Sequence, residues 1–330
     1  MRIITVEEHV PCAAIAAAAA LGSARNAPYM NSASGEGLPY APDGSLFDLC
    51  EKRIADMDRH GIDLQVVSCA SPSQYIPAAL APAIVRAAND ELAAALGKYP
   101  GRFAAFAALP WSAPEKAARE LERAVTTLGF RGAILAGGAG AGADFLDAPR
   151  FTPVLEAAEA LGVPLYLHPA APLRSVQRAY YDGLGEQLSA RLSLYGWGWH
   201  NEAGIQLLRL ILSGAFERFP RLQLIAGHWG EMVPFFLSRL DQALPQSVTK
   251  LHRSITETFR QNVYVTPSGI FDHPQLRFCM EVLGADRILH SVDFPFIGNE
   301  GAVPFLENAP IHQEEKEQIA HRNAEALLKL

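Results

Sequence analysis

Cysteine is scarce in this chain and never clustered. Four residues in 330 (Cys12, Cys50, Cys69, Cys279) form no CxxC pair, which argues against structural zinc and a disulfide framework and suits a reducing cytoplasm. Basic clusters are missing too, and the formal net charge is −7, so no nucleic-acid partner is expected. Long apolar runs are also lacking. The nearest, Ala13 to Leu21, is far too short to span a membrane. It follows Glu7, Glu8 and His9, where a secretory signal would be basic, and is read as a helix in the connection after the first strand. The glycine-rich stretch Gly137 to Gly142 ends in no GK[ST] and has no GxGxxG frame, so it is not read as a phosphate cradle.

What the chain does contain is a regular alternation. About half of it is apolar (49%), as in globular proteins. Short apolar runs that suit buried strands occur at 3–9, 64–68, 103–108, 132–135, 163–168, 222–226, 262–266 and 287–292. Helical stretches separate them: about 47–59, 77–96, 114–127, 150–161, 203–217, 232–244 and 274–283, with a C-terminal helix at about 313–328. Ser112 is the expected N-cap of helix 114–127. Two connections are long. One, at 24–45, is rich in Asn, Ser, Gly and Pro. The other, at 170–201, carries Tyr180, Tyr181, Tyr195, Trp197 and Trp199 and is expected to be irregular, serving as a lid or as interface packing. Eight strands alternating with helices imply parallel pairing with right-handed crossovers. The expected fold is α/β, a (β/α)8 TIM barrel forming a single domain over 1–330, with long loops after strands one and five. A doubly wound open sheet is the alternative.

In such barrels chemistry collects at the C-terminal ends of the strands. Those ends carry Glu7 and His9 after strand one, His168 after strand five, His228 after strand six and Asp293 after strand eight. Glu7 and His9 stand two apart, so they project to one face while Glu8 points away. Mixed imidazole and carboxylate donors suit one divalent ion, zinc or manganese, held by Glu7, His9, His168 and Asp293. Strand four, around Ala133-Ile134-Leu135, has no lysine to carry a bridging group, which favours a mononuclear site.

Several motifs then point to a family. Strand one ends in Glu-x-His, LHP follows strand five, GHWGE follows strand six, and GADRILHSVDFPF closes the chain's chemistry; RIADMDRHGID spans 53–63 and RLILSGAFERFPRLQLIAGHWGE spans 209–231. The chain resembles the amidohydrolase-2 branch of the amidohydrolase superfamily, which includes decarboxylases similar to those acting on aminocarboxymuconate semialdehyde and γ-resorcylate. The resemblance implies that Glu7, His9, His168 and Asp293 are metal ligands. It makes His228 and Glu231 an active-site pair, with Asp293 also catalytic, and puts Arg239 near a substrate carboxylate. Glu231 also reads as a first-turn helix acid, and Arg239 as a helix-surface or subunit-contact ion pair. His290 stands where relatives often have an aromatic residue, and is read as a packing residue.

The activity implied is nonoxidative decarboxylation of an ortho-hydroxylated aromatic acid, with one divalent ion (Zn2+ or Mn2+) and no organic cofactor, in a cytoplasmic homodimer or homotetramer. A metal-dependent hydrolase opening a lactone or cleaving an amide is the first rival. The second is a noncatalytic barrel with a structural metal.

Overall fold

A computed structural model describes residues 1–30, 49–69, 71–138 and 144–330. Most of the expected loop at 24–45, the start of the helix expected from 47, and most of the glycine-rich stretch 137–142 lie outside the described residues.

Among the described residues the strands are β1 (Ile4–Val10), β2 (Leu64–Cys69), β3 (Phe103–Ala105), β4 (Ala133–Ala136), β5 (Leu165–His168), β6 (Leu224–Ala226) and β7 (Val263–Val265). All pair in parallel, as β1-β2-β3 and β4-β5-β6-β7. A bridge between Ala107 and Ala133 links the two sheets. The expected eighth strand is not a regular strand. Its segment bridges β7 through Val265 and Ile288, and β1 through Glu8 and Phe294. Val6 N–H donates to the His290 carbonyl at 3.0 Å and Leu289 N–H to Val265 at 2.9 Å. The irregularity has a cause: the buried Glu8 carboxylate accepts Val292 N–H at 3.1 Å and Phe294 N–H at 2.9 Å. A side chain thus takes donors that a ladder would use.

Inward positions follow the two-residue period. Ile4 and Val6, Leu64 and Val66, Phe106, Ile134, Tyr166, Ile225 and Leu289 fill the ring, and Ala324 and Leu328 pack against them. A second layer between strands and surrounding helices holds Ile3, Val10, Leu135, Leu165 and Val263 with Leu121, Leu155, Leu207 and Phe259. Burial of each large aliphatic side chain contributes roughly 1.5–3 kcal/mol.

The helices that matter below are α1 (Ala13–Asn26), α2 (Glu51–Arg59), α3 (Ala81–Leu96), α4 (Pro114–Thr126), α5 (Thr152–Leu161), α6 (Arg174–Tyr180), α7 (Glu186–Ser193), α8 (Gly198–Leu212) and α9 (Val233–Ala243). Three of them correct the expectation for 170–201, which is largely helical: α6, α7 and the first turn of α8 occupy it. Its aromatics pack partly on one another, with the Tyr195 and Trp199 rings 6.0 Å apart, so no simple apolar period shows in the sequence. Ser112 is not a cap either. Ala113 occupies the N-cap of α4 with no side-chain capping bond, since alanine carries no acceptor, and Pro114 opens the helix at N1 with its φ already fixed.

Candidate metal centre and active site

The site begins with an irregularity in β1. Strict alternation would put Val6 inward and Glu7 outward. The β1–β2 register instead shifts between Thr5 and Glu8, as a bulge does. Ile4 and Val6 therefore line the ring below, while Glu7 and His9 both reach the site above. Glu8 turns to the other side, as expected, but it is fully buried rather than an exposed strand-end acid. It faces Arg53 of α2, which donates to the His9 carbonyl at 2.8 Å and to Gln65 at 2.8 Å.

Glu7, His9, His168 and Asp293 converge. Each offers a ligand atom, and these atoms all lie within 4.8 Å of one another. His9 Nε2 is 2.9 Å from Asp293 Oδ1, and His168 Nε2 is 3.6 Å from Glu7 Oε1. Each ligand is oriented from behind. His168 Nδ1–H donates to the Pro169 carbonyl at 2.7 Å, which leaves Nε2 free as a ligand. His9 Nδ1 meets Ser68 Oγ at 3.3 Å. Glu7 Oε2 accepts from Ser268, from Thr266 at 3.3 Å and from Ser291 at 3.4 Å. Glu7 Oε1 is buried without a hydrogen bond among the described residues. A buried, orphaned carboxylate oxygen beside two imidazoles and a second carboxylate fits a divalent cation.

Electrostatics agree with that fit. Burial pushes His168 down to about 3, with His9 adding to the effect, so this ring is neutral and can offer its Nε2 lone pair to a cation. Burial raises Glu7, which His228 opposes and Asp293 reinforces. Asp293 is held well below the usual carboxylate range, because hydrogen bonds from His228 and His9 outweigh its burial.

The GHWGE motif forms a turn of unusual hand. His228, Trp229, Gly230, Glu231 and Met232 have φ of 48, 59, 79, 53 and 65°. Outside glycine this region costs about 1–2 kcal/mol per residue. Anchors from the β7 end hold it: His228 N–H donates to Ser268 Oγ at 2.8 Å, Trp229 N–H to the Thr266 carbonyl at 2.7 Å, and Trp229 Nε1–H to Ile270 at 2.9 Å. The turn puts His228 Nδ1 2.9 Å from Glu231 Oε1 and His228 Nε2 3.9 Å from Asp293 Oδ2. Glu231 is therefore no first-turn acid. It precedes α9, is 2% exposed, and its carboxylate stays low because His228 and His200 outweigh its burial. Burial pushes His228 down, but the charges of Glu231 and Glu7 overcome it and hold the ring well above its ordinary value.

Two further residues bear on the site. Arg239 is exposed on α9 and makes no hydrogen bond or ion pair with these residues among the described ones. The helix direction fixed by the turn buries Val233, Pro234 and Leu237, which leaves position 239 outside. His200, on α8, was not singled out, yet its Nδ1 lies 2.8 Å from Glu231 Oε2. Its one trace in the sequence is its place at the end of Trp197-Gly198-Trp199, in a stretch with no periodic pattern. His200, His228 and Glu231 also cluster, with Glu231 accepting from both imidazoles, and form a polar chain behind the centre.

A ring of parallel strands with a Glu-His-His-Asp centre at its C-terminal mouth defines a metal-dependent enzyme of the (β/α)8 class. The particular family follows from comparison: residues 51–330 match the amidohydrolase family model, and the chain belongs to that family. The γ-resorcylate decarboxylase of Polaromonas sp. is 38% identical over 297 residues, covering 86% of this chain and 89% of that protein. The dihydroxybenzoic acid decarboxylase structure from Polaromonas sp., with bound manganese and the inhibitor 2-nitroresorcinol, aligns over 100% of this chain and 97% of its own. Its identity is 35% and its TM-score 0.86. The 5-carboxyvanillate decarboxylase structure from Sphingomonas paucimobilis aligns over 100% and 99%, with 32% identity and a TM-score of 0.87.

Proposed function

We propose that this protein is a carboxy-lyase that removes carbon dioxide, without oxidation, from an aromatic acid carrying a hydroxyl ortho to the carboxylate. The observation that carries the reading is the joining of two groups: four ligand side chains around one point, and a buried His228–Glu231 pair aimed at the same point through Asp293. Similarity to decarboxylases of γ-resorcylate, dihydroxybenzoate and carboxyvanillate supports the substrate class. The manganese of the Polaromonas structure favours manganese over zinc.

Glu7, His9, His168 and Asp293 would hold the ion. When bound, it supplies Lewis acidity and a template for the phenolate and carboxylate oxygens. His228, kept charged by Glu231, is the proton store. Its Nε2 faces Asp293 Oδ2, and Asp293 passes the proton to the ring carbon that bears the carboxylate. That carbon then carries both proton and carboxylate. The C–C bond breaks, carbon dioxide leaves, its bonding pair restores aromaticity, and a phenol remains. The protonated ring accepts the electrons, so no organic cofactor is required.

A homodimer or homotetramer is part of this reading. Phe235 and Phe236 on α9 are 70% and 52% exposed, and adjacent aromatic side chains of this kind favour a covered surface. Scattered cysteines with no CxxC pair support a reducing compartment such as the cytoplasm, and no helix among the described residues is long and apolar enough to cross a membrane.

The test is a panel of hydroxybenzoates offered to metal-loaded protein, with carbon dioxide and phenol both measured. Stoichiometric release of the two is expected. Hydrolysis of a lactone or amide with no carbon lost would replace the reading by a hydrolase. Asp293→Asn should leave a folded protein with turnover reduced at least about 100-fold; full activity in that variant would remove Asp293 from the proton path.

A further inference from the structure

Glu231 is gripped at both oxygens, and only one grip belongs to the pair already described. Oε1 takes His228 Nδ1 at 2.9 Å, and Oε2 takes His200 Nδ1 at 2.8 Å. The two imidazole rings lie 4.4 Å apart at 59°. The other nitrogen of His200, Nε2, is 3.0 Å from Trp199 Nε1 and 3.1 Å from the Tyr195 carbonyl. An indole N–H can only donate. A carboxylate can only accept, so the bond to Glu231 Oε2 requires the proton on His200 Nδ1, while Nε2 lies between the Trp199 donor and the Tyr195 carbonyl acceptor. A carboxylate held by one bond can turn about its terminal torsion, which is broad and soft. Held by two, it cannot turn without breaking one.

We propose that His200 is a positioning residue: by donating Nδ1–H to Glu231 Oε2 it locks the carboxylate across His228, so that His228 Nδ1–H stays bound and Nε2 stays aimed at the metal centre. The kinetic side of this role rests on the decarboxylase reading; the geometric side does not.

Three metal-loaded proteins decide it. His200→Asn carries an amide N–H near the Nδ1 position and keeps the bond to Glu231. His200→Phe keeps a ring of similar size and removes the donor. We expect H200F to lose about 10- to 100-fold in kcat with KM little changed, and H200N to recover most of that loss. Equal losses in both variants, or no loss in either, overturn the proposal. A second readout needs no turnover. In zinc-loaded protein, which is diamagnetic, the His228 Nδ1–H proton should give a sharp, downfield resonance in wild type and H200N and exchange away in H200F. An unchanged resonance in H200F overturns the proposal even if no aromatic acid is consumed. The expected resonances in a protein that releases no carbon dioxide would sink the decarboxylase reading and leave His200 in its role. Should H200F fail to fold, His200→Gln, whose amide reaches the Nε2 side, takes its place in both measurements.

Discussion

A single histidine outside the site shows how burial alone sets a pH response. His290 is fully buried, 5.9 Å from the Phe271 ring and 6.3 Å from that of Phe305. Burial pushes it from 6.5 to about 4, with only the Ala302 backbone pulling the other way. Above pH 6.5 both folded and unfolded chains carry it neutral, so it contributes nothing to the pH dependence. Below 6.5 the unfolded chain takes the proton and the folded one does not, so stability falls with pH until about 4, where the folded form protonates as well. Phenylalanine would fill the same aromatic slot without titrating. The stability gap between His290→Phe and wild type should therefore widen by about 2 kcal/mol from pH 7.5 to 5, read from urea midpoints. A gap that does not change with pH would mean that His290 is solvated or protonated in the folded state. The expectation of a packing residue at 290 agrees with its surroundings. At this scale the convergence of Glu7, His9, His168 and Asp293 was legible too, because Glu, His and Asp at the ends of strands are conspicuous. His200 was not, since its meaning depends on a partner 31 positions away that only the packing of α8 supplies.

Elements were legible where their period was clean and illegible where side chains take over backbone bonds. β2, β5 and β6 fall within a residue or two of expectation, whereas the segment expected as the eighth strand gives the N–H groups of Val292 and Phe294 to Glu8, and no alternation rule foresees that. The GHWGE turn is the other case. Its composition suits a loop before a helix, but nothing short of the fold forces five successive positive φ angles. Gly230 is its pivot. At φ +79° an added Cβ would stand 2.8 Å from Pro234 Cγ and 2.9 Å from Val265 Cγ1. Both atoms belong to constrained side chains that cannot swing away. Gly230→Ala should thus cost roughly 2–4 kcal/mol, combining left-handed strain with overpacking, as measured by chemical denaturation. Its kcat should fall as well, because the turn carries both His228 and Glu231. A variant with wild-type stability and rate would show that the turn can relax.

On the scale of the whole molecule, the question is whether the cation holds the fold or the fold holds the cation. The ring is filled beneath the site by nine apolar side chains of the strands, Ile4 through Leu289, and wrapped by a continuous apolar layer. Apart from the Tyr166 hydroxyl beside Glu7, none of that packing passes through the four candidate ligands. Removing the metal should therefore leave a folded barrel with its secondary structure intact and abolish turnover. Stability should drop only by the binding linkage, about 2.7 kcal/mol at a free metal concentration one hundred times Kd. At roughly 1.4 °C per kcal/mol for a chain of 330 residues, chelation should lower Tm by about 4 °C. Readdition of manganese should restore both Tm and activity. If chelation instead unfolded the protein outright at room temperature, the metal would be structural, and the paired His228 and Glu231 beside it would have no proton to move.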